Sequence, residues 1–378
     1  MSHVRKVIVL TPPGRSAIAT IRAEGADALQ CVSRCVTTRH NSPLKLIPTA
    51  RPILARFSLP LGGAEEVVLN ALNHECLEIH CHGSPLVIKQ ITECLEKMGF
   101  SSEGCDEWID RTESDKIAAE ARRSLCSVIS FRVVPILIDQ YHGALRNCVL
   151  KAREHIRSGD ADQALTILNE LLRWAEFGRH LIIPWKVAIV GPPNVGKSSL
   201  FNWLLGYERA IVDAVPGTTR DFVTATTAFE GWPVELCDTA GLRDTSDSIE
   251  KEGTQRTMAV ADSADLVLLV FSNADPWCHE WESWPERWPR HLIVFNKCDL
   301  PSIRDKRLTG LNISASSGYG VKTLEQEIAR CLVPILPQPG AAVPFTERHI
   351  NHLRCAQESV REGNLTEAER HLSELLGD

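Results

Sequence analysis

No apolar run in this sequence approaches the roughly 18 residues of a membrane-spanning helix, and no leader-like apolar segment opens it. These absences predict a cytoplasmic protein with no membrane partner. No C-x-x-C pair occurs among the 13 cysteines, so the thiols read as reduced and buried, as in a cytosolic chain. A large excess of base is missing too. The net charge of −7 argues against a basic nucleic-acid surface overall, and DNA is not an expected partner, although a local basic patch is compatible with it. What is present is the composition of a soluble globular protein, 44% hydrophobic and 24% charged over 378 residues, enough for two or three domains.

The most informative stretch is WKVAIVGPPNVGKSS at residues 185–199. A short apolar strand (187–190) meets G-x-x-x-x-G-K-[ST] and then a helix-competent segment, which is the context a phosphate-binding loop requires. Gly191 and Gly196 let the backbone turn its N–H groups toward a phosphate, and the helix starting near Lys197 adds the positive end of its dipole. Lys197 is expected to reach the β- and γ-phosphates, with the Ser198 hydroxyl on Mg²⁺. Asn194, Val195 and Ser199 complete the loop.

Four further elements follow in order. The D-x-x-G sequence at Asp238 and Gly241 comes after a strand, with its carboxylate placed to hold Mg²⁺ through water and its glycine N–H placed to sense a γ-phosphate. Upstream, GTTRD at 217–221 offers Thr219 as a second hydroxyl ligand to Mg²⁺. Asn296, Lys297 and Asp299 form N-K-x-D at the end of a strand, where open α/β sheets bind ligands. The ionised Asp299 carboxylate accepts two hydrogen bonds and matches the N1 and N2 donors of guanine, so GTP is preferred over ATP. Ser314 and Ala315, with Ser316, would support the base from the next loop.

The chain predicts a multi-domain α/β protein. Residues 1–110 alternate short strands and two helices as an α+β domain. Residues 111–180 and 338–378 carry helical apolar spacing and read as one helical bundle. Residues 181–337 form an inserted P-loop domain with a mostly parallel sheet and helices on both faces. Within the helical parts, GDADQALTILNELL (159–172) echoes GNLTEAERHLSELL (363–376): a glycine ends one helix, and Asp or Thr caps the next. His74, Cys76, His80, Cys81 and His82 are metal-ligand types, yet residues 77–82 alternate like a strand. Trp277, Trp281, Trp284 and Trp288 fall at helical spacing. They read as core packing on the sheet or, because Pro285 interrupts that helix, as an exposed partner patch.

Residues 182–334 resemble a translation-factor-class GTPase domain. The whole chain resembles the MnmE (TrmE) family of tRNA-modification GTPases, through TPPGR at 11–15, LEIHCHGSP at 77–85, GPPNVGKSS at 191–199, AIVDAVPGTTRD at 210–221 and DTAGLRD at 238–244. The resemblance implies a GTP-hydrolysing enzyme. Leu242 stands where many small G proteins keep a water-orienting glutamine, and the family's glutamate falls on Glu250. It implies K⁺ beside the phosphates, with Asn194, Asp213, Val215 and Thr218 as ligands. It also implies a homodimer through the N-terminal domain, an FAD-dependent MnmG-like partner, and tRNA wobble uridine as the target. Arg22 and Glu78 match positions that hold formyl-tetrahydrofolate in the family, with Lys116 as a third after a gap.

Two family features are not found in the sequence: the Cys-x-Gly-Lys motif and the signature around GEF-x-x-RAF-x-NGK between residues 104 and 121. GTP chemistry therefore reads as intact, and a regulatory GTP switch without tRNA chemistry stands as the alternative. A ribosome-assembly GTPase would need a basic RNA-binding domain, which this charge pattern lacks.

Overall fold

The computed structural model describes residues 4–40, 42–44, 51–128, 130–209, 223–238, 258–303 and 309–378. It is a multi-domain α/β protein with two compact units, Met1–Ser127 and Val128–Asp378.

The first unit contains strands β1 (Lys6–Val9), β2 (Ile18–Glu24), β3 (Val36–Thr37), β4 (Ile53–Ser58), β5 (Ala64–Asn73), β6 (Cys76–His82) and β7 (Ser101–Glu103). They form one sheet in the order β3-β4-β5-β6-β2-β1-β7, in which only β1 and β7 pair in parallel. Both faces are covered, and the period-2 alternation of β1 shows how. Val7 enters a core with Ile21, Leu69, Ile79, Ile91 and Leu95, beneath the helices Ala28–Ser33 and Pro85–Lys97. Its neighbour Ile8 enters a second core with Trp108, Ile109 and Ala119 from the helices Cys105–Thr112 and Lys116–Ser127. Strand β6 takes in the whole alternating stretch, with Leu77, Ile79 and Cys81 buried on the core face. His80 and His82 face the other way, and the five candidate ligands form no metal-sized cluster among the described residues.

The second unit contains β8 (Trp185–Val190), β9 (Val223–Phe229), β10 (Trp232–Asp238), β11 (Leu266–Ser272), β12 (His291–Asn296) and β13 (Leu311–Asn312). Their order is β13-β12-β11-β8-β10-β9, parallel except for β9. Strand β11 (LVLLVFS) is buried at all seven positions, as an interior strand of a covered sheet must be. The β9–β10 hairpin turns at Glu230 and Gly231, both with positive φ (46° and 80°), the primed geometry that matches strand twist.

Helices Ala144–Arg157 and Ala161–Arg173 form one helical hairpin, and Glu347–Arg361 and Leu365–Leu376 form another. The two turns are built alike. Gly159 (φ 80°) and Gly363 (φ 78°) take the left-handed position. The next residues, Asp160 and Asn364, accept from the backbone N–H three residues on, each at 3.2 Å. The second cap is thus Asn364, not the Thr366 that the echo suggested. Helix Glu347–Arg361 packs on both Leu365–Leu376 and Ala161–Arg173.

The four tryptophans do not sit on one α-helix. A 3₁₀ turn (His279–Ser283) leads into a four-residue helix (Trp284–Arg287) that Pro285 can open without losing a needed N–H. Trp277, Trp281 and Trp284 still pack around Phe271 of β11, with ring centroids 4.7, 5.4 and 6.0 Å away. Trp288 is buried and its indole N–H donates to Asp262 at 2.9 Å. Core packing is what this aromatic group does.

Candidate nucleotide site

Strands β8, β10, β11 and β12 run in parallel, so their C-terminal ends share one edge of the sheet. From that edge emerge the loop after Val190, Asp238 at the end of β10, and the segment after Asn296. An open α/β sheet binds its ligands there.

The phosphate-type loop is glycine-dependent at two points for steric reasons. A Cβ on Gly191 would lie 2.1 Å from the carbonyl oxygen of Val270 in the neighbouring strand. A Cβ on Gly196 would lie 2.4 Å from Nδ2 of Asn296, at a φ of +94° that L side chains rarely adopt. Asn194 also has positive φ (64°), which asparagine tolerates better than most residues, and its side chain is exposed. Val195 anchors the loop from inside at 2% exposure. The helix Lys197–Arg209 then begins, and Lys197 folds back so that Nζ donates to the carbonyls of Gly191 and Pro192, both at 2.8 Å. Ser198 and Ser199 are exposed at the helix start.

The N-K-x-D segment is tied to this loop through Asn296, which is almost fully buried. Its Nδ2 donates to the Val195 carbonyl and its Oδ1 accepts from the Ala315 N–H, each at 2.8 Å. Sequence reasoning placed Asn296 in the site; it did not identify this joining of three loops, for which no sequence signal exists. Lys297 holds positive φ (61°), and its ammonium lies 3.8 Å from Asp275. Asp299 is exposed, and hydrogen bonds from the Ser314 side chain first, then from backbone and Ser316, hold its carboxyl below the usual aspartate range. It therefore stays an ionised, acceptor-only group at neutral pH. Ser314 and Ser316 share a 2.8 Å hydroxyl contact. Asp238 is buried opposite Ile189 of β8, near the start of the loop.

Asp213, Val215, Thr218, Thr219, Gly241 and Glu250 lie outside the described residues. In the first unit, Arg22 and Glu78 face one another across β2 and β6, with Nη1 and Oε1 3.4 Å apart. Arg22 also donates to Glu24 at 2.7 Å, sits over the Trp108 ring, and lines a cavity of about 510 Å³ with Lys6, Cys76 and Arg111. Lys116 is exposed at the start of its helix. Thr11, Pro12, Pro13 and Gly14 of the TPPGR stretch line a separate cavity of about 1130 Å³.

The family described as "50S ribosome-binding GTPase" matches residues 186–297, which span the loop, Asp238 and N-K-x-D up to Lys297. Along nearly its whole length the chain is similar to proteins named tRNA modification GTPase MnmE. That of Thermus thermophilus is 30% identical, over 98% of this chain and 94% of that protein. Those of Akkermansia muciniphila and Chloroflexus aurantiacus are each 32% identical, over 97% of this chain and 93% and 91% of theirs. The chain belongs to the MnmE family. As a MnmE-family protein it is a P-loop GTPase, a hydrolase acting on GTP with Mg²⁺. The oxygen donors of the site suit that ion, since the exposed Ser198 hydroxyl and the Asp238 carboxylate are the hard ligands Mg²⁺ takes. Among the described residues, no helix is long and apolar enough to cross a membrane.

Proposed function

We propose that this chain is a K⁺-stimulated GTPase acting in the modification of the wobble uridine of tRNA. In this reading it works in the cytoplasm as a homodimer through residues 1–110, together with an FAD-dependent MnmG-like protein. Residues 111–180 and 338–378 make a helical domain, and residues 181–337 make the G domain inserted in it. The packing of Glu347–Arg361 on Ala161–Arg173 supports joining those two stretches, whereas helix Lys116–Ser127 shares its core with Ile8 of the first unit. The tRNA assignment rests on similarity to proteins named tRNA modification GTPases along nearly the whole chain.

The observation that carries the K⁺ reading is Asn194, an exposed amide held in a left-handed conformation within the phosphate loop. Its carbonyl oxygen, with Asp213, Val215 and Thr218, would supply oxygen ligands to a monovalent cation beside the phosphates. Bound Mg²⁺ and K⁺ supply positive charge where phosphoryl transfer develops negative charge. Lys197 turns from the Gly191 and Pro192 carbonyls onto the β- and γ-phosphates. Ser198 and Thr219 would hold Mg²⁺, and Glu250 would position the attacking water. Asp299 takes the guanine N1 and N2 donors, with Ser314 and Ala315 behind it, while the N–H groups of residues 194–199 and Gly241 line the phosphates. Arg22 and Glu78, a cation and a carboxylate at one sheet position, would be the formyl-tetrahydrofolate contacts.

The test is steady-state GTP hydrolysis in KCl against NaCl at matched ionic strength. K⁺ should raise turnover in the wild type and leave Asn194→Ala unmoved. Equal rates in both salts, with GTP still bound, would replace the K⁺ mechanism with a slow regulatory switch. Glu250→Ala should bind GTP and turn it over slowly; wild-type turnover would discard its role. Wobble-uridine modification should be lost in cells lacking the gene and restored by the wild-type chain. Unchanged modification would remove the tRNA assignment.

A further inference from the structure

The helical hairpin of Glu347–Arg361 and Leu365–Leu376 carries a side-chain cluster that GTP chemistry does not use. Three donors of metal-ligand type meet between its helices: His352 from the first, and His371 and Glu374 from the second. One ligating atom from each lies within 4.8 Å of the other two. His352 Nδ1 is 3.6 Å, and His371 Nδ1 4.0 Å, from the same oxygen, Oε2 of Glu374.

The second observation is the state of His371. Its Nδ1 is buried and makes no hydrogen bond. Its other nitrogen, Nε2, lies 3.4 Å from Oε1 of Glu367. A carboxylate near Nε2 favours the tautomer with the proton there, which leaves Nδ1 an unprotonated acceptor 4.0 Å from Oε2 of Glu374. An acceptor then faces an acceptor in a partly buried place, an arrangement that a cation between them relieves. Carboxylate on one imidazole nitrogen and metal on the other is the usual outer-shell arrangement of a zinc histidine. Glu374 is held ready as well. Arg370 pairs with its Oε1, leaving Oε2 toward the histidines, and Arg348 binds the carbonyls of Glu374 and Leu375 at 3.2 and 2.9 Å.

We infer that His352, His371 and Glu374 form a Zn²⁺ site that clamps the C-terminal helical hairpin. Two imidazoles and one carboxylate are a borderline nitrogen–oxygen set suited to Zn²⁺ rather than to Mg²⁺ or Ca²⁺. With bonds of about 2.0–2.1 Å, tetrahedral zinc holds neighbouring ligand atoms about 3.3 Å apart. The three ligand atoms, at 3.6 and 4.0 Å to Glu374 and none more than 4.8 Å from another, would have to close to that spacing when the ion binds. Glu374 is 42% exposed, so water can take the fourth position.

The full chain, stripped of metal by a chelator, is titrated with Zn²⁺ against a chromophoric competitor and separately with Co²⁺. One ion per chain should bind. The cobalt form should show the visible bands of a four-coordinate site without the near-ultraviolet band of thiolate ligation, which separates this site from the 13 cysteines. His352→Ala and Glu374→Gln should lose that ion while keeping the wild-type circular dichroism and GTP turnover. Glu367→Gln should weaken binding about 10- to 100-fold, the effect of removing an outer-shell partner. Zn²⁺ bound with unchanged stoichiometry and affinity in folded His352→Ala and Glu374→Gln would overturn the assignment. So would a thiolate band, or no binding at all.

Discussion

The side-chain amide of Asn296 donates to the main-chain carbonyl of Val195, 101 residues earlier, at 2.8 Å. Because its oxygen also accepts from Ala315, one buried side chain sets the spacing between the phosphate loop, the N-K-x-D segment and the loop behind it. Asn296→Ala removes both bonds and leaves two buried main-chain groups unsatisfied, each worth about 1–3 kcal/mol. We expect a stability loss of about 2–4 kcal/mol in urea unfolding, together with at least tenfold weaker binding of a fluorescent GTP analogue. An unchanged unfolding midpoint would show that the three loops hold their places without it.

Gly196→Ala attacks the same junction from the other side. The new methyl would stand 2.4 Å from Asn296 Nδ2, and the backbone would have to keep a φ of +94°. Asn296 cannot yield without giving up its bonds, so nucleotide affinity should fall by about tenfold or more, an energy of about 1.4 kcal/mol. Titration with GDP and GTP reads this directly. Wild-type affinity would mean that the loop rearranges freely.

The tryptophan group makes a prediction about stability rather than activity. Trp288→Ala opens space beside β11 and takes the indole donor from Asp262. The expected loss is about 3–5 kcal/mol, as for other buried large-to-small changes. If a partner-binding patch were its purpose instead, the variant would unfold at the wild-type denaturant concentration.

His180 should make the stability of the protein depend on pH below about 6.5. Burial against Trp185, with ring centroids 3.5 Å apart, pushes its imidazole below the ordinary histidine value, and the Asp265 carboxylate offsets this only in part. The folded pKa is thus lower than the unfolded one. Folding is favoured above the unfolded value near 6.5, and this contribution is lost as the pH falls through the folded pKa. Unfolding free energy measured from pH 7.5 to 5 should fall toward acid, and His180→Phe should flatten that slope. An identical slope in the variant would assign the acid sensitivity to other groups.

Much of this protein is written locally. The phosphate loop needs a strand, two glycines and a helix start within fifteen residues, and each has a backbone reason that a short window contains. The apolar alternation of β6, the unbroken apolar runs of β1 and β11 and the Glu230–Gly231 turn are legible for the same reason: neighbours in sequence decide them. Strand β7, with its polar Ser-Ser-Glu, carries no such signal and exists because β1 offers it an unpaired edge. The tryptophan spacing is helical on paper, yet the backbone there follows Pro285 and the shape of Phe271. The tertiary structure alone decided that Asn296 serves the loops rather than solvent, because its partners lie 101 and 19 residues away. It alone brought His352 to His371 and Glu374, since only the packing of two helices carries their side chains across the turn between them.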